Sequence, residues 1–158
     1  MKNKKSFIIF TALTAAITAF IFGNSLLDGG TSSEVSGFFS HAVESFLRLL
    51  GFEPDADTVS HVIRKTAHFG EYFLLSAAAF GALYNIKGDL RLSFASVGYS
   101  AVVAFTDEFV MQRITPGRGP RITDVLIDCS GALLAALVCF LIIRGHNERK
   151  NKKRGTQQ

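Results

Sequence analysis

Four long apolar segments constrain the fold of this chain more than any other feature of its sequence. They lie at approximately 6–27, 66–86, 91–112 and 121–144. Because an α-helix rises 1.5 Å per residue, about 20 apolar residues are enough to cross a hydrocarbon core of about 30 Å. The positive mean hydropathy of +0.28 agrees with a protein that lies in a bilayer. The sequence therefore predicts an all-α, polytopic membrane protein whose four spans form a transmembrane-helix bundle over residues 1–144.

The first apolar segment follows a basic start, MKNKK, in a pattern that signal peptides and N-terminal membrane anchors share. A small-residue cleavage site is weak near Gly23–Ser25, and this favours a retained anchor. Small residues recur every four positions at Ala15, Ala19 and Gly23. We therefore expect this face of the first helix to pack closely against a neighbouring helix.

The basic residues indicate an orientation in the membrane. With the N-terminus in the cytoplasm, eleven of the 17 lysines and arginines lie on the cytoplasmic side and six on the other. Cytoplasmic loops have an excess of basic residues, so this distribution predicts that both termini are cytoplasmic. The basic residues cluster at the chain ends and in short loops, as membrane anchors do, and we expect no binding of nucleic acid. Residues 145–158 are expected to form a disordered, basic cytoplasmic tail.

The loop after the first span contains a predicted amphipathic helix at 34–50, on the extracytoplasmic side. Its apolar residues recur at three- and four-residue spacing. Thr31 and Glu34 fit a capping box at its start, and Gly51 fits a stop at its end. Such a helix either lies in the membrane interface or covers the bundle as a lid, and the sequence leaves both alternatives open.

Charged residues are concentrated at one end of the second, third and fourth apolar segments. The other end of each segment has about fifteen nearly uncharged residues, which cover only about 22 Å, so the charged turns must enter the membrane. Because the spans alternate in direction, these turns all fall on the same, extracytoplasmic side. The predicted polar cluster consists of His68, Glu71, Asp107, Glu108, Gln112, Asp124 and Asp128.

Helical spacing places several of these residues on common faces. Arg64, His68 and Glu71 are four and three residues apart and form one stripe. Asp107 and Glu108 are adjacent, so in a regular α-helix they cannot point the same way, and the sequence does not show which one faces inward. Ionisable groups inside a membrane usually mark a functional site. The alternative is structural. The charges of five acidic and five basic residues at this end of the spans nearly cancel, so these residues are able to form interhelical salt bridges.

Basic residues around the cluster are candidates for anion binding. The loop QRITPGRGPR contains two prolines and two glycines, which are typical of a tight turn. Arginine suits phosphate or carboxylate, because its guanidinium donates two parallel hydrogen bonds. Snorkelling to lipid headgroups is an equal alternative for Arg113. The predicted anion-binding residues are Arg64, Lys65, Arg118 and Arg121.

The same cluster contains groups that are able to do chemistry. His68, Glu71, Asp107 and Asp124 are candidate ligands for a divalent metal, and a histidine beside a carboxylate is able to act as a general base. A single histidine among carboxylates is not typical of a zinc site. The sequence has no GxSxG, HExxH or phosphate-cradling glycine motif. It therefore predicts no cofactor and leaves catalysis undecided.

The chain resembles the VanZ-like family of small bacterial membrane proteins in three blocks: RKTAHFGEYFLL, DEFVMQ and GRGPRITDVLIDCSGALLA. The family has Arg-Lys-x-x-His-x-x-Glu-Tyr, Asp-Glu-x-x-x-Gln and Gly-Arg…Asp…Gly-Ala blocks in this order. The resemblance covers approximately residues 20–140. In the last block, some family members have an amide at the position of Asp128 and a glycine at that of Ala135. To the residues given above, the resemblance adds Tyr72, Gly117 and Gly131.

The resemblance implies a role in the cell envelope, because the namesake of the family is associated with low-level resistance to the glycopeptide teicoplanin. We therefore expect the protein to bind or remodel an anionic lipid, a wall precursor or a lipoglycopeptide headgroup at the outer leaflet of the bacterial plasma membrane. One alternative is an intramembrane enzyme that uses a metal or a histidine–carboxylate pair on an envelope lipid. In a third interpretation, the polar cluster forms structural salt bridges only.

Overall fold

The computed structural model describes residues 3–26, 41–53, 55–114 and 120–155. Within these ranges all regular structure is helical and no strand is present, so the predicted all-α class is confirmed. In chain order the elements are α1 (Lys4–Leu26), α2 (through residues 41–49), α3 (Ala56–Lys87), α4 (Leu90–Ser93), α5 (Ala95–Thr106), a π-helical turn (Asp107–Met111), α6 (Gln112–Ile114) and α7 (Ile122–Gly155).

Helix α3 is the central element, because it packs against α1, α5 and α7. Asp55 caps its N-terminus by accepting hydrogen bonds from the hydroxyl and the backbone N–H of Thr58, at 2.7 and 3.1 Å. These two bonds lower the pKa of Asp55 below its usual range. At the other end, Gly88 adopts a left-handed conformation with φ 73°, which glycine tolerates at little energetic cost. The helix thus begins well before the predicted span at 66–86.

Two apolar clusters hold the long helices together. One lies near the polar end of the bundle and includes Tyr72 and Leu75 of α3, both completely buried. The other lies towards the opposite end and is built around aromatic rings. Phe94 lies there between Phe80, which it meets edge to face, and Phe140, to which its ring is tilted, at centroid distances of 5.9 and 5.6 Å. Such ring pairs contribute roughly 0.5–1.5 kcal/mol each beyond their buried area.

Glycine allows close approach of the helices at two contacts. A Cβ atom on Gly131 of α7 would collide with the backbone carbonyl of Phe69 in α3. A Cβ atom on Gly81 of α3 would lie 2.7 Å from the ring of Phe10 in α1. The missing side chains therefore set the spacing of α3 from both α7 and α1.

The small-residue face predicted on α1 does not form a helix contact. Ala15 and Ala19 are exposed, and a Cβ atom on Gly23 would meet nothing within 4 Å. Instead, α1 turns Ile21 and Ser25 inward, at 1% and 2% exposure. The prediction is wrong because small size permits close packing but does not select the face that packs.

Two described helices are long and apolar enough to cross a membrane: α1, and residues Ile122–Lys150 of α7. The second and third predicted spans lack an apolar helix of 18 residues. The apolar part of α3 is interrupted by Glu71 and Asn85, and the third segment is divided among α5, the π-helical turn and α6. The four-span bundle therefore stays a prediction.

The predicted helix at 34–50 is confirmed over its described part, whereas the predicted disordered tail at 145–158 is not. Residues 41–49 are helical, and Gly51 ends that helix at φ 85° as predicted. Residues 34–40 and the proposed cap at Thr31 and Glu34 lie outside the described residues. Helix α7 continues through residue 155, so the predicted disorder after residue 144 is wrong up to that point. Its last turns contain helix-forming Glu, Lys and Arg residues, with a 2.8 Å bond between Arg144 and Glu148.

The contact at Gly131 gives a test of the packing between α3 and α7. Gly131→Ala is expected to lower the free energy of unfolding by about 1–3 kcal/mol, because the new methyl group meets backbone that cannot rotate away. The matched control is Gly98→Ala in α5, where a Cβ atom meets nothing within 4 Å. Thermal unfolding in detergent micelles measures both, and equal effects of the two substitutions would contradict the contact.

Candidate functional site

Buried acidic and polar side chains from three parts of the chain meet near one end of the bundle. Asp107, Glu108 and Asp128 are each 1% exposed, and Tyr72 is 0% exposed. The hydroxyl of Tyr72 interacts electrostatically with all three of these carboxylates and with Glu71. Asp128 lies within electrostatic range of Asp107, Glu108, Asp124 and Glu71. The structure thus brings together residues of α3, the π-helical turn and α7 that the sequence assigns to one polar cluster.

Both neighbouring carboxylates of the third segment are buried, although the sequence suggests that only one faces inward. The reason is the π-helical turn at Asp107–Met111, which follows α5 directly. The backbone N–H of Gln112 bonds to the carbonyl of Asp107, five residues earlier, instead of four. This wider turn changes the angles between successive side chains, and such turns occur frequently at functional sites.

Glu108 links the π-helical turn to the start of α7. One of its oxygens accepts a hydrogen bond from the side-chain amide of Gln112, and the other accepts one from the backbone N–H of Arg121. The carboxylate also attracts the guanidinium of Arg121. The buried charge is therefore stabilised mainly by hydrogen-bond donors, which is what a buried carboxylate requires.

Lys65 and Asp124 form a salt bridge between α3 and α7. Their side chains are 29% and 19% exposed, and Lys65 Nζ lies 3.0 Å from Asp124 Oδ1. The other salt bridges in the described ranges join residues three or four apart. No basic side chain in these ranges makes a direct salt bridge with Glu108 or Asp128. A network of interhelical salt bridges, which is the structural interpretation, is thus reduced to one pair among the described residues.

The remaining predicted anion-binding residues are at the surface. Arg64 and Arg121 are exposed, as is Arg113. Within the part of the chain that the structure describes, none of the three forms a salt bridge. Arg118 and Gly117 lie outside that part. His68 is half-buried on α3, one turn before Tyr72.

Helix α1 contributes two polar residues that the sequence analysis did not identify. The side-chain amide of Asn24 donates a hydrogen bond to Glu71 Oε1 at 3.2 Å. Ser25, the next residue, is 2% exposed. Both interrupt the apolar run of the first segment at its extracytoplasmic end, on the predicted topology. This interruption is the sequence signal that indicates a fourth contributor to the cluster.

Two polar atoms in the cluster have hydrogen-bonding capacity left. The hydroxyl of Tyr72 and Oδ1 of Asp128 are buried, and neither has a hydrogen-bond partner among the described residues. Leaving such a group unsatisfied costs about 1–3 kcal/mol. In native proteins, groups of this kind often bind water or an ion, or take part in function. The cluster therefore offers a donor and an acceptor in addition to its negative charge.

The candidate metal ligands do not form a metal site within the described ranges. No group of three or more His, Cys, Asp and Glu side chains there is placed to hold a metal ion. Glu71 is engaged by Asn24, and Asp124 by Lys65. Cys129 and Cys139 are free thiols that pack against the two apolar clusters. General-base chemistry at His68 stays a prediction.

Comparison with known proteins identifies the family. A family model described as VanZ/LLP1 matches residues 7–143. The chain belongs to the VanZ/LLP1 family. No curated protein and no solved structure matches it. The match covers nearly all of the apolar segments and the whole polar cluster, so the resemblance seen in the three sequence blocks is confirmed. Membership, together with the apolar helices α1 and α7, indicates a membrane protein of the cell envelope.

The contact between Lys65 and Asp124 is testable by a double-mutant cycle with Lys65→Met and Asp124→Asn. A coupling energy of about 1 kcal/mol is expected, because both side chains are mostly shielded from water. The exposed pair of Arg144 and Glu148 is the control, and exposed pairs at this spacing contribute only about 0.3–0.5 kcal/mol. Chemical unfolding in micelles measures both cycles, and a coupling no larger than the control's would contradict an interhelical bridge.

Replacement of two buried acids by their amides is expected to have different effects. Asp128→Asn should change the free energy of unfolding by less than about 1 kcal/mol, because Asp128 Oδ1 has no hydrogen-bond partner among the described residues and the substitution breaks no bond to it. Glu108→Gln should lower it by about 1–3 kcal/mol, because an amide NH₂ then faces one of the donors that Glu108 satisfies. Thermal unfolding of the two variants at neutral pH gives the comparison. Destabilisation by both substitutions would show that Asp128 has a stabilising partner.

Proposed function

We propose that this VanZ/LLP1 protein binds the anionic headgroup of a lipid, a wall precursor or a lipoglycopeptide at the outer leaflet of the plasma membrane. The observation that supports it is the exposure of Arg64 and Arg121 beside the buried acids. Had the acids formed salt bridges with these arginines, the guanidinium donors would be occupied. Because they form none with a described carboxylate, both arginines are available for a ligand.

Two acidic residues of the polar cluster, Glu108 and Asp124, hold basic residues at the exposed edge of the cluster, which is its mouth. The backbone of Arg121 is fixed by Glu108, and Lys65 is held by Asp124. Arg64 adjoins Lys65 on the same turn of α3. A phosphate or carboxylate at this position would accept charge-assisted hydrogen bonds, which are roughly twice as strong as neutral ones. Arg118 would add a third guanidinium from the loop.

The outer leaflet follows from the proposed topology. Four spans with both termini in the cytoplasm put the polar end of the bundle on the extracytoplasmic side, and the excess of basic residues at the other end supports this orientation. An amphiphile in the outer leaflet would reach the site by lateral diffusion, with its acyl chains in the bilayer and its headgroup at the arginines. Binding a lipoglycopeptide in this way would keep it from its target and so contribute to teicoplanin tolerance.

A binding experiment with water-soluble probes tests this function. Full-length protein in phosphatidylcholine nanodiscs is titrated with teicoplanin and with inorganic pyrophosphate, and binding is followed by thermal shift. Arg121→Gln is expected to weaken binding about tenfold, which corresponds to the loss of roughly 1.4 kcal/mol of charge-assisted hydrogen bonding. Arg149→Gln is the control, because Arg149 is exposed near the opposite end of α7. Equal weakening by both substitutions, or no binding by the wild type, would contradict the proposal.

The enzymatic alternative gives a different result in a parallel measurement. Elemental analysis of the purified wild type and of His68→Ala shows whether metal is bound and whether the histidine holds it. Stoichiometric metal that is lost from His68→Ala would favour an intramembrane enzyme. Metal-free protein whose pyrophosphate binding survives His68→Ala would favour the binding function.

A further inference from the structure

An apolar groove opens between α1, α3 and α5, away from the polar cluster. Its volume is about 430 Å³, within the range of about 300–1,000 Å³ that is usual for ligand sites. Its walls are formed by side chains between Phe7 and Ala15 of α1, between Ala79 and Ile86 of α3, and by Ala95 and Tyr99 next to them.

The walls of the groove present almost only hydrocarbon. The hydroxyl of Thr14 donates to the carbonyl of Phe10 at 2.8 Å, within α1. The hydroxyl of Tyr99 is bonded to that of Thr18 at 2.9 Å. Because these polar groups are already satisfied, the groove favours an apolar occupant over one that needs hydrogen bonds.

The length of the groove matches one leaflet of a bilayer. Its wall on α1 extends from Phe7 to Ala15, which is about 12 Å at the helical rise of 1.5 Å per residue. One leaflet contributes about 15 Å to a hydrocarbon core of about 30 Å. The groove is therefore suited to an acyl chain that enters from the nearer membrane surface.

Basic residues surround the end of the groove at that surface. Lys4 lies one turn before Phe7, Lys87 follows Ile86, and Arg91 lies one turn before Ala95. All three are exposed, and none forms a salt bridge within the described ranges. Asp89 is the acidic residue among them, and its carboxylate accepts the backbone N–H of Arg91 at 2.8 Å. The rim of the groove is thus positively charged overall.

We propose that this groove binds one acyl chain of an anionic glycerophospholipid whose phosphate contacts Lys4, Lys87 and Arg91. An apolar channel of leaflet depth beneath a basic rim is complementary to such a lipid in both charge and length. A second copy of the chain would bring another basic rim against the first, and the repulsion disfavours this occupant. The site is independent of the proposed headgroup site, because it uses the opposite ends of α1 and α3.

Native mass spectrometry of the full-length protein tests the proposal. The protein is released from micelles that contain equal amounts of phosphatidylglycerol and phosphatidylcholine. We expect the wild type to retain one lipid molecule, predominantly phosphatidylglycerol. Ala15→Phe fills the groove and should reduce retention about tenfold, equivalent to a tenfold change in the binding constant. Ala16→Phe is the matched control, because Ala16 is exposed on α1 but does not line the groove.

A charge variant separates the headgroup from the acyl chain. Lys4→Gln combined with Lys87→Gln and Arg91→Gln leaves the walls intact, so lipid should still be retained but without preference for phosphatidylglycerol. If Ala15→Phe fails to fold, the loss of preference in the charge variant decides the proposal. Arg121→Gln should leave retention unchanged, which distinguishes this site from the other end of the bundle. Equal retention by Ala15→Phe and Ala16→Phe, an unchanged preference in the charge variant, or a lipid-free dimer that Ala15→Phe disrupts would overturn the proposal.

Discussion

The polar end of the bundle depends on the burial of two adjacent carboxylates, Asp107 and Glu108. A regular α-helix separates neighbouring side chains by about 100°, so one of the two would face away from the interior of the bundle. The π-helical turn removes this conflict by widening the backbone at these residues. Glu108 then holds the turn in place, because it bonds to Gln112 within the same segment and to the backbone at the start of α7. The irregular backbone and the buried acids are therefore mutually dependent.

The way in which these acids are stabilised determines what the surface is able to do. Glu108 is held by an amide and a backbone N–H, and Glu71 by the amide of Asn24. Neutral donors satisfy a carboxylate without occupying a cation. The basic residues at the mouth are thus left near a negative interior but largely exposed, apart from Lys65. A network of structural salt bridges would have occupied these basic residues, whereas this arrangement leaves Arg64 and Arg121 exposed at the surface.

The sequence predicts the composition of the site better than its geometry. Each predicted span has its charged turns at one end and the spans alternate in direction, so the sequence places α3, the third segment and α7 together at that end whatever their detailed packing. The π-helical turn is a change of hydrogen-bond register, and apolar periodicity does not encode it. Asn24 was missed because one amide at the end of an apolar run resembles a helix terminus. The helical extension of α7 was missed because a basic composition indicates solvent exposure, which exposed helices and disordered tails share.

Helix α1 connects the two ends of the molecule. It contacts α3, the π-helical turn and α6, and most of its apolar surface is exposed. Its contacts with α3 include Phe10 against Gly81 beside the groove, Ile21 in the apolar cluster with Tyr72, and Asn24 with Glu71 at the polar cluster. Ile21 and Ser25 are also buried at the polar end, where α1 contacts the π-helical turn and α6 as well, so α1 is attached at both ends. Helix α1 therefore covers one side of the buried acids, because it bonds to Glu71 of α3 and also contacts the π-helical turn.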